Sequence, residues 1–182
     1  MKSGPVPIYT IVRPVESWNP LRVDPDESFS YIDLGSVDQE RKVITQAKQT
    51  RCGDAPSRVR QLVKAGDILV STVRPNLNGV AQVPHDLDGA TASTGFCVLR
   101  PDPTKADPRY LMQWVGRHAL VNNVAMADLR QLRLVSPSLE FQHQFGDRVR
   151  ALKVIEKSSI QSESLIDNLF ASLQDRAFRG AL

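Results

Sequence analysis

The side chains with the most chemistry to offer gather between residues 57 and 95. "SRVRQLVKAGDILVSTVRPN", residues 57–76, sets Arg58, Arg60 and Lys64 ahead of a strand-like apolar run from Ile68 to Val73. Arg74 and Asn76 follow that run at once, Asn78 comes two residues later, and Ser93 and Thr94 stand just before Gly95 and another apolar run. Arg and Lys neutralise phosphates, while Arg, Asn and Gln meet base edges two hydrogen bonds at a time. By type, these eight residues are candidates for contact with DNA. A plainer reading stays open beside it: charges flanking a strand serve a solvated face, Arg74-Pro75-Asn76 is a polar turn, and Asn78-Gly79 is a hairpin corner.

Catalytic patterns are mostly missing. His85, His118 and His143 show no metal-ligand spacing with one another or with Cys52 and Cys97. There is no glycine-rich phosphate loop, no G-x-S-x-G elbow and no glycine-rich cofactor fingerprint after a strand, so no S-adenosylmethionine or nucleotide site is expected in this chain. One constellation stands against this. Pro25-Asp26 followed by Glu40-Arg41-Lys42 resembles the P-D…E-x-K pattern of metal-dependent nucleases, in which two carboxylates hold Mg²⁺ and a lysine orients the attacking water. These acids lie in turn-rich sequence, which reads as solvated loop, and a nuclease is kept as a rival reading.

The elements that would position these residues fall into two parts. Residues 1–136 hold 11 of the 12 prolines and 8 of the 10 glycines. "YIDLGSV", "GDILVSTV", "GVAQV" and "GFCVLR" read as strands bounded by turn residues, with Ile68, Val70 and Val73 supplying core. "DPRYLMQWVGRHALVNNVA" has helical spacing, with Leu111, Val115, Ala119 and Leu120 on one face. The class is α+β, with a curled mixed sheet or open barrel and short helices. Residues 137–182 differ: after Pro137 there is no proline, Ser138 is a candidate N-cap, and Phe145, Val149 and Leu152 step by four and three. After a polar middle, "EKSSIQSES", where a kink or break has its place, Ile166, Phe170 and Leu173 restore the seam. One helix of about 40 residues, on the order of 60 Å, is expected, and so long a seam needs a partner helix.

Charge is unevenly spread. Residues 16–40 carry seven acids against Arg22, a balance of −6, and residues 41–74 carry eight bases against Asp54 and Asp67, a balance of +6; the whole chain is +3. No run approaches the roughly 18–20 apolar residues of a membrane span. The N-terminus, broken by prolines, does not read as a secretory signal, so Cys52 and Cys97 are expected as free thiols in a reducing cytoplasm.

The order of these motifs resembles a known family, the specificity (S) subunits of type I restriction–modification systems. "YIDLGSVD" (31–38) is similar to the opening strand of a target recognition domain in that family. "APSRVRQLVKAGDILVSTVRPNLNGVAQV" (55–83) is the most specific stretch, and "ASTGFCVLRP" (92–101) follows it in the family's order. "SPSLEFQHQF" (136–145) resembles the family's proline-rich junction, with Gln142 at its characteristic glutamine, and "LIDNLFASLQDRAFRGAL" (165–182) resembles the end of its spacer helix. The resemblance implies a subunit that is not itself a catalyst. Its recognition domain would read one half of a bipartite double-stranded DNA site in the major groove. Its helices would dock modification (M) subunits, which bind S-adenosylmethionine and methylate adenine N6; a restriction subunit is a further candidate partner. Family members usually have two recognition domains and two spacer helices, and this chain has one of each. It therefore resembles a half subunit that pairs head-to-tail as a homodimer, with Phe145, Val149, Leu152, Ile166, Phe170 and Leu173 as the dimer and M-subunit surface. In the same family a strand returns to the sheet just before the junction, and the segment 125–135 is short for that role.

Overall fold

The computed structural model of the chain describes residues 4–73, 79–122 and 129–178; the side chains of 118–122, 157, 160 and 162–178 lie outside that description. In chain order its strands are β1 (Pro5–Pro7), β2 (Val12–Arg13), β3 (Ser28–Ile32), β4 (Val37–Asp38), β5 (Val43–Ile44) and β6 (Lys48–Arg51). β7 (Val59–Leu62), β8 (Ile68–Ser71), β9 (Val80–Gln82), β10 (Thr91–Ser93) and β11 (Phe96–Pro101) follow, then helix α1 (Pro108–Asn122), β12 (Arg133–Val135) and helix α2 (Leu139–Phe178). The chain divides into two compact units, one extending to His143 and the other from Gln144 onward.

The first unit is built on two four-stranded sheets, ordered β6-β3-β10-β7 and β2-β11-β8-β9. β3 and β10 run parallel, and the other strand pairs are antiparallel, so the first sheet is mixed as expected. Among the described residues the sheets do not close into a barrel.

β8 and β11 are buried on both faces, which is why "DILV" and "FCVL" read as continuous apolar runs instead of alternating. Ile68, Val70, Cys97 and Leu99 join one core cluster with Leu111, Met112 and Val115 of α1. Leu69, Phe96 and Val98 point the other way, into a second cluster with Ile32, Val63 and Ala92. Strand side chains alternate faces, so a single run of residues serves two cores. Leu111 and Val115 take the buried positions that their spacing predicts. Val73 does not: it lies beyond the end of β8 and is 42% exposed, so it is no part of the core.

Two further expectations are corrected. "YIDLGSV" is not one strand. β3 stops at Ile32 because Asp33 and Ser36 close a box, in which Ser36 Oγ donates to Asp33 Oδ1 (3.0 Å) and accepts the Asp33 N–H (3.2 Å) around a short 3₁₀ turn. The short segment before the junction does return a strand, β12, but to the N-terminal β1, with Val6 opposite Leu134. Fully buried Leu134 fixes it there.

The second unit is the helix α2, whose first residues belong to the globular unit. It runs 40 residues, about 60 Å at 1.5 Å per residue, with no break at the polar middle. Ser138 caps it: its Oγ accepts the Phe141 N–H (3.4 Å) and its carbonyl accepts the Gln142 N–H (3.1 Å). Phe145 and Val149 are half-buried, and Leu152, Val154 and Ile155 are each more than 60% exposed. The side chains of Ile166, Phe170 and Leu173 lie outside the described residues. No described helix is long and apolar enough to cross a membrane.

Candidate nucleic-acid interface

Strand directions decide which candidates can meet. β10 runs with β3 and against β7 and, across the turn at Thr94-Gly95, hands over to β11, which runs against β8. The ends of β3, β8 and β10 therefore share one rim with the starts of β6, β7, β9 and β11. Backbone bonds tie this rim together. The Thr94 N–H donates to Arg58 O (2.8 Å), and both the N–H and Oγ1 of Thr72 donate to Gly95 O (2.9 Å each). Gly95 makes a close approach: a Cβ there would stand 3.1 Å from the Leu34 side chain, which would have to shift by a few tenths of an ångström.

Arg58 and Thr94 are both exposed on this rim, and Arg58 makes no ion pair with any described residue. The β8–β9 connection leaves from Val73 and re-enters at Gly79, where the Ser71 N–H donates to Gly79 O (2.7 Å). Arg74, Asn76 and Asn78 lie on that connection, outside the described residues. Ser93 is placed at the rim but turned inward: it is buried, and its Oγ accepts the Gly95 N–H (3.2 Å). Its side chain holds the turn. Arg60 sits within β7, half-buried, with Nη1 donating to Val59 O (2.6 Å). Lys48 and Thr72 reach the rim without having been singled out by the sequence. Lys48 is ion-paired with Asp33. Burial pushes the Asp33 carboxyl up, but the bonds from Lys48 and Ser36 outweigh it and leave it below the ordinary carboxylate value.

Lys64 is not brought to the rim. It follows the far end of β7, a strand on the order of 13 Å long, and faces Glu16 at 3.9 Å. Its neighbours there are framework. Arg100 donates through Nε to Asp67 Oδ1 (3.0 Å) and through Nη2 to Asp67 Oδ2 (2.9 Å) and Leu62 O (2.9 Å), with the Asp67 side chain 2% exposed. Arg13 pairs with Asp102 (3.0 Å). The Asp102 carboxyl is held down to about 2 by the Thr104 N–H and hydroxyl and by Arg13.

The nuclease pattern does not assemble. Asp26 precedes β3 in a turn closed by its own N–H on Asp24 Oδ1 (3.0 Å), and Glu40 lies in the β4–β5 turn beyond the other end of β3. No group of three His, Cys, Asp or Glu among the described residues is placed to hold a metal ion. Cys52 and Cys97 are buried and unpaired.

No family model matches the chain. Over 81 residues, 44% of its length, it is 36% identical to the type I restriction enzyme HindI specificity subunit of Haemophilus influenzae, of which it covers 17%. The HsdS subunit from Thermoanaerobacter tengcongensis superposes with a TM-score of 0.78 at 30% identity, over 89% of this chain and 45% of that one. A chain from a structural study of complex assembly and conformational transition in a type I R-M system gives 0.77 at 29% identity, with the same coverage. The chain is a homologue of the type I specificity subunits. It spans about one target recognition domain, and less than half the length of the relatives it matches.

In this specificity-subunit fold the junction glutamine has a physical task. Gln142 is 1% exposed. Its Oε1 accepts the Asp107 N–H (3.0 Å), and its Nε2 lies within hydrogen-bond distance of Pro137 O (2.9 Å) and Lys105 O (3.2 Å). Asp107 in turn caps α1 through the Arg109 N–H (2.8 Å) and pairs with Arg109 Nη2 (2.7 Å) and, more loosely, His143 Nε2 (3.7 Å). One buried amide therefore ties the loop before α1 to the first turn of α2.

Proposed function

We propose that this chain is a DNA sequence-specificity element of a type I restriction–modification system, and that its rim reads one half-site in the major groove. The observation that carries this is the rim: Arg58, Thr94 and the two ends of the β8–β9 connection, Val73 and Gly79, stand at one end of a fold shared with HsdS subunits. Phosphate contacts from Arg58 would orient the domain, and the β8–β9 connection would supply base contacts.

In this reading the chain is non-catalytic and cytoplasmic and carries no cofactor. S-adenosylmethionine belongs to the M subunit, which flips and methylates an adenine. A restriction subunit joins where the system also cuts. The homodimer in this reading pairs through antiparallel α2 helices, with exposed Leu152, Val154 and Ile155 available to a partner. A two-fold pair reads a gapped palindrome. Methylation mapping in cells carrying this chain with its M subunit tests the proposal. A gapped palindromic adenine motif is expected, and an asymmetric motif would overturn the half-subunit assembly.

A further inference from the structure

We infer that Gln39 reads a base edge and that the depression beside it takes the 5-methyl group of a thymine, so that this corner of the rim recognises an A·T pair. The inference rests on the reading that the rim faces DNA, and it names what one part of the rim is for.

Gln39 opens the four-residue turn between β4 and β5, whose register pairs Asp38 with Val43 and Val37 with Ile44. The turn is stiff. Asp38 Oδ1 accepts both the Glu40 and the Arg41 N–H (2.9 Å each), and Asp38 O accepts the Lys42 N–H (2.9 Å), with Lys42 in the left-handed region at φ 58°. The Gln39 side chain is exposed and makes no hydrogen bond to any described residue, so its amide is presented on a fixed backbone with both its donor and its acceptor free. A carboxamide of that kind matches adenine, whose major-groove edge offers the N6 donor and N7 acceptor as a pair.

The surroundings fit the same pair. Gln39 borders a depression of about 280 Å³ whose other walls include Leu34, Val37, Ser71, Val73 and Phe96. The walls mix apolar side chains with the Ser71 hydroxyl and the main chain at Gly35 and Gly79, and Val73, 42% exposed, forms an apolar edge. An apolar edge at Val73 next to a free carboxamide suits the methyl group that distinguishes thymine. Arg41, next but one along the turn, has its side chain 81% exposed but lies 4.0 Å from Asp38, so its charge is shared within the turn.

The test uses the full chain assembled with its M subunit, on duplexes carrying the methylation motif mapped in cells. Each thymine is replaced in turn by uracil, which removes only the methyl, and each A·T pair by G·C. One uracil position is expected to weaken binding roughly fourfold, the worth of one buried methyl, and Val73→Ala should abolish that penalty. Gln39→Ala should cut discrimination at that same pair by roughly fivefold to a hundredfold, and Gln39→Glu should turn its preference toward C·G. The slope of affinity against salt should not change in these variants. An unaltered motif in Gln39→Ala with no thymine sensitive to uracil overturns the inference, as does an equal loss on all sequences. A complex in which Arg58→Ala leaves the salt slope untouched refutes the reading of the rim instead, and can be told apart because the slope, not the base preference, reports it.

Discussion

The two ends of the recognition domain differ in how their arginines are engaged. At the far end, Arg100 is locked on Asp67, Arg13 on Asp102, and Lys64 faces Glu16. At the rim Lys48 is likewise ion-paired, with Asp33, but Arg58 is exposed and makes no ion pair with any described residue. A guanidinium whose donors are already engaged by a buried carboxylate has little to offer a ligand, whereas an unengaged one carries its full charge to the surface. The difference separates framework from site more sharply than the number of basic residues does.

Breaking the framework should give the largest effect. Arg100→Ala leaves Asp67 buried and uncompensated and should cost about 3–5 kcal/mol in urea unfolding, whereas Arg58→Ala should stay within about 0.5 kcal/mol. Equal losses would erase the distinction between the ends. Next comes the junction. Gln142→Ala strands the Asp107 N–H and two carbonyls and should cost about 1–3 kcal/mol, with faster hydrogen exchange at the Asp107 amide as the local signature. Binding sharpens the comparison from the other side. Arg58→Ala should lower the salt slope of DNA binding by about 0.9, and Lys64→Ala should leave it in place.

The smallest effect is on pH. Burial pushes the Asp107 carboxyl up, but the bonds from Arg109 outweigh it and hold it below the ordinary 3.8. A carboxylate lowered in the folded state contributes stability that is complete above the unfolded value and is lost as pH falls through the folded one. The unfolding midpoint should therefore fall as the pH drops below about 4, and Asp107→Asn should flatten part of that decline.

The sequence made some of this legible and concealed the rest for identifiable reasons. A 40-residue proline-free stretch behind a serine cap announced α2, and "GDILVSTV" announced β8. The three-residue strands β1 and β12 were concealed because each exists only through a partner more than 120 residues away. Lys64 was grouped with Arg58 because sequence distance along a strand says nothing about which end of the sheet a residue occupies. Ser93 fits a contact by its type, while its inward turn is set by the bond from the Gly95 N–H. Gln142 stood out through family resemblance, and burial supplied its reason.

The rim is held largely by main-chain atoms: Thr94 N–H on Arg58 O, Thr72 N–H on Gly95 O, Ser71 N–H on Gly79 O. Bonds of that kind are blind to the side chains they carry. In the proposed reading, the side chains at Arg58 and Thr94 could therefore change with the target at little folding cost. The paired far end, by contrast, must be inherited intact. A lineage of such proteins would drift at one pole and stand still at the other.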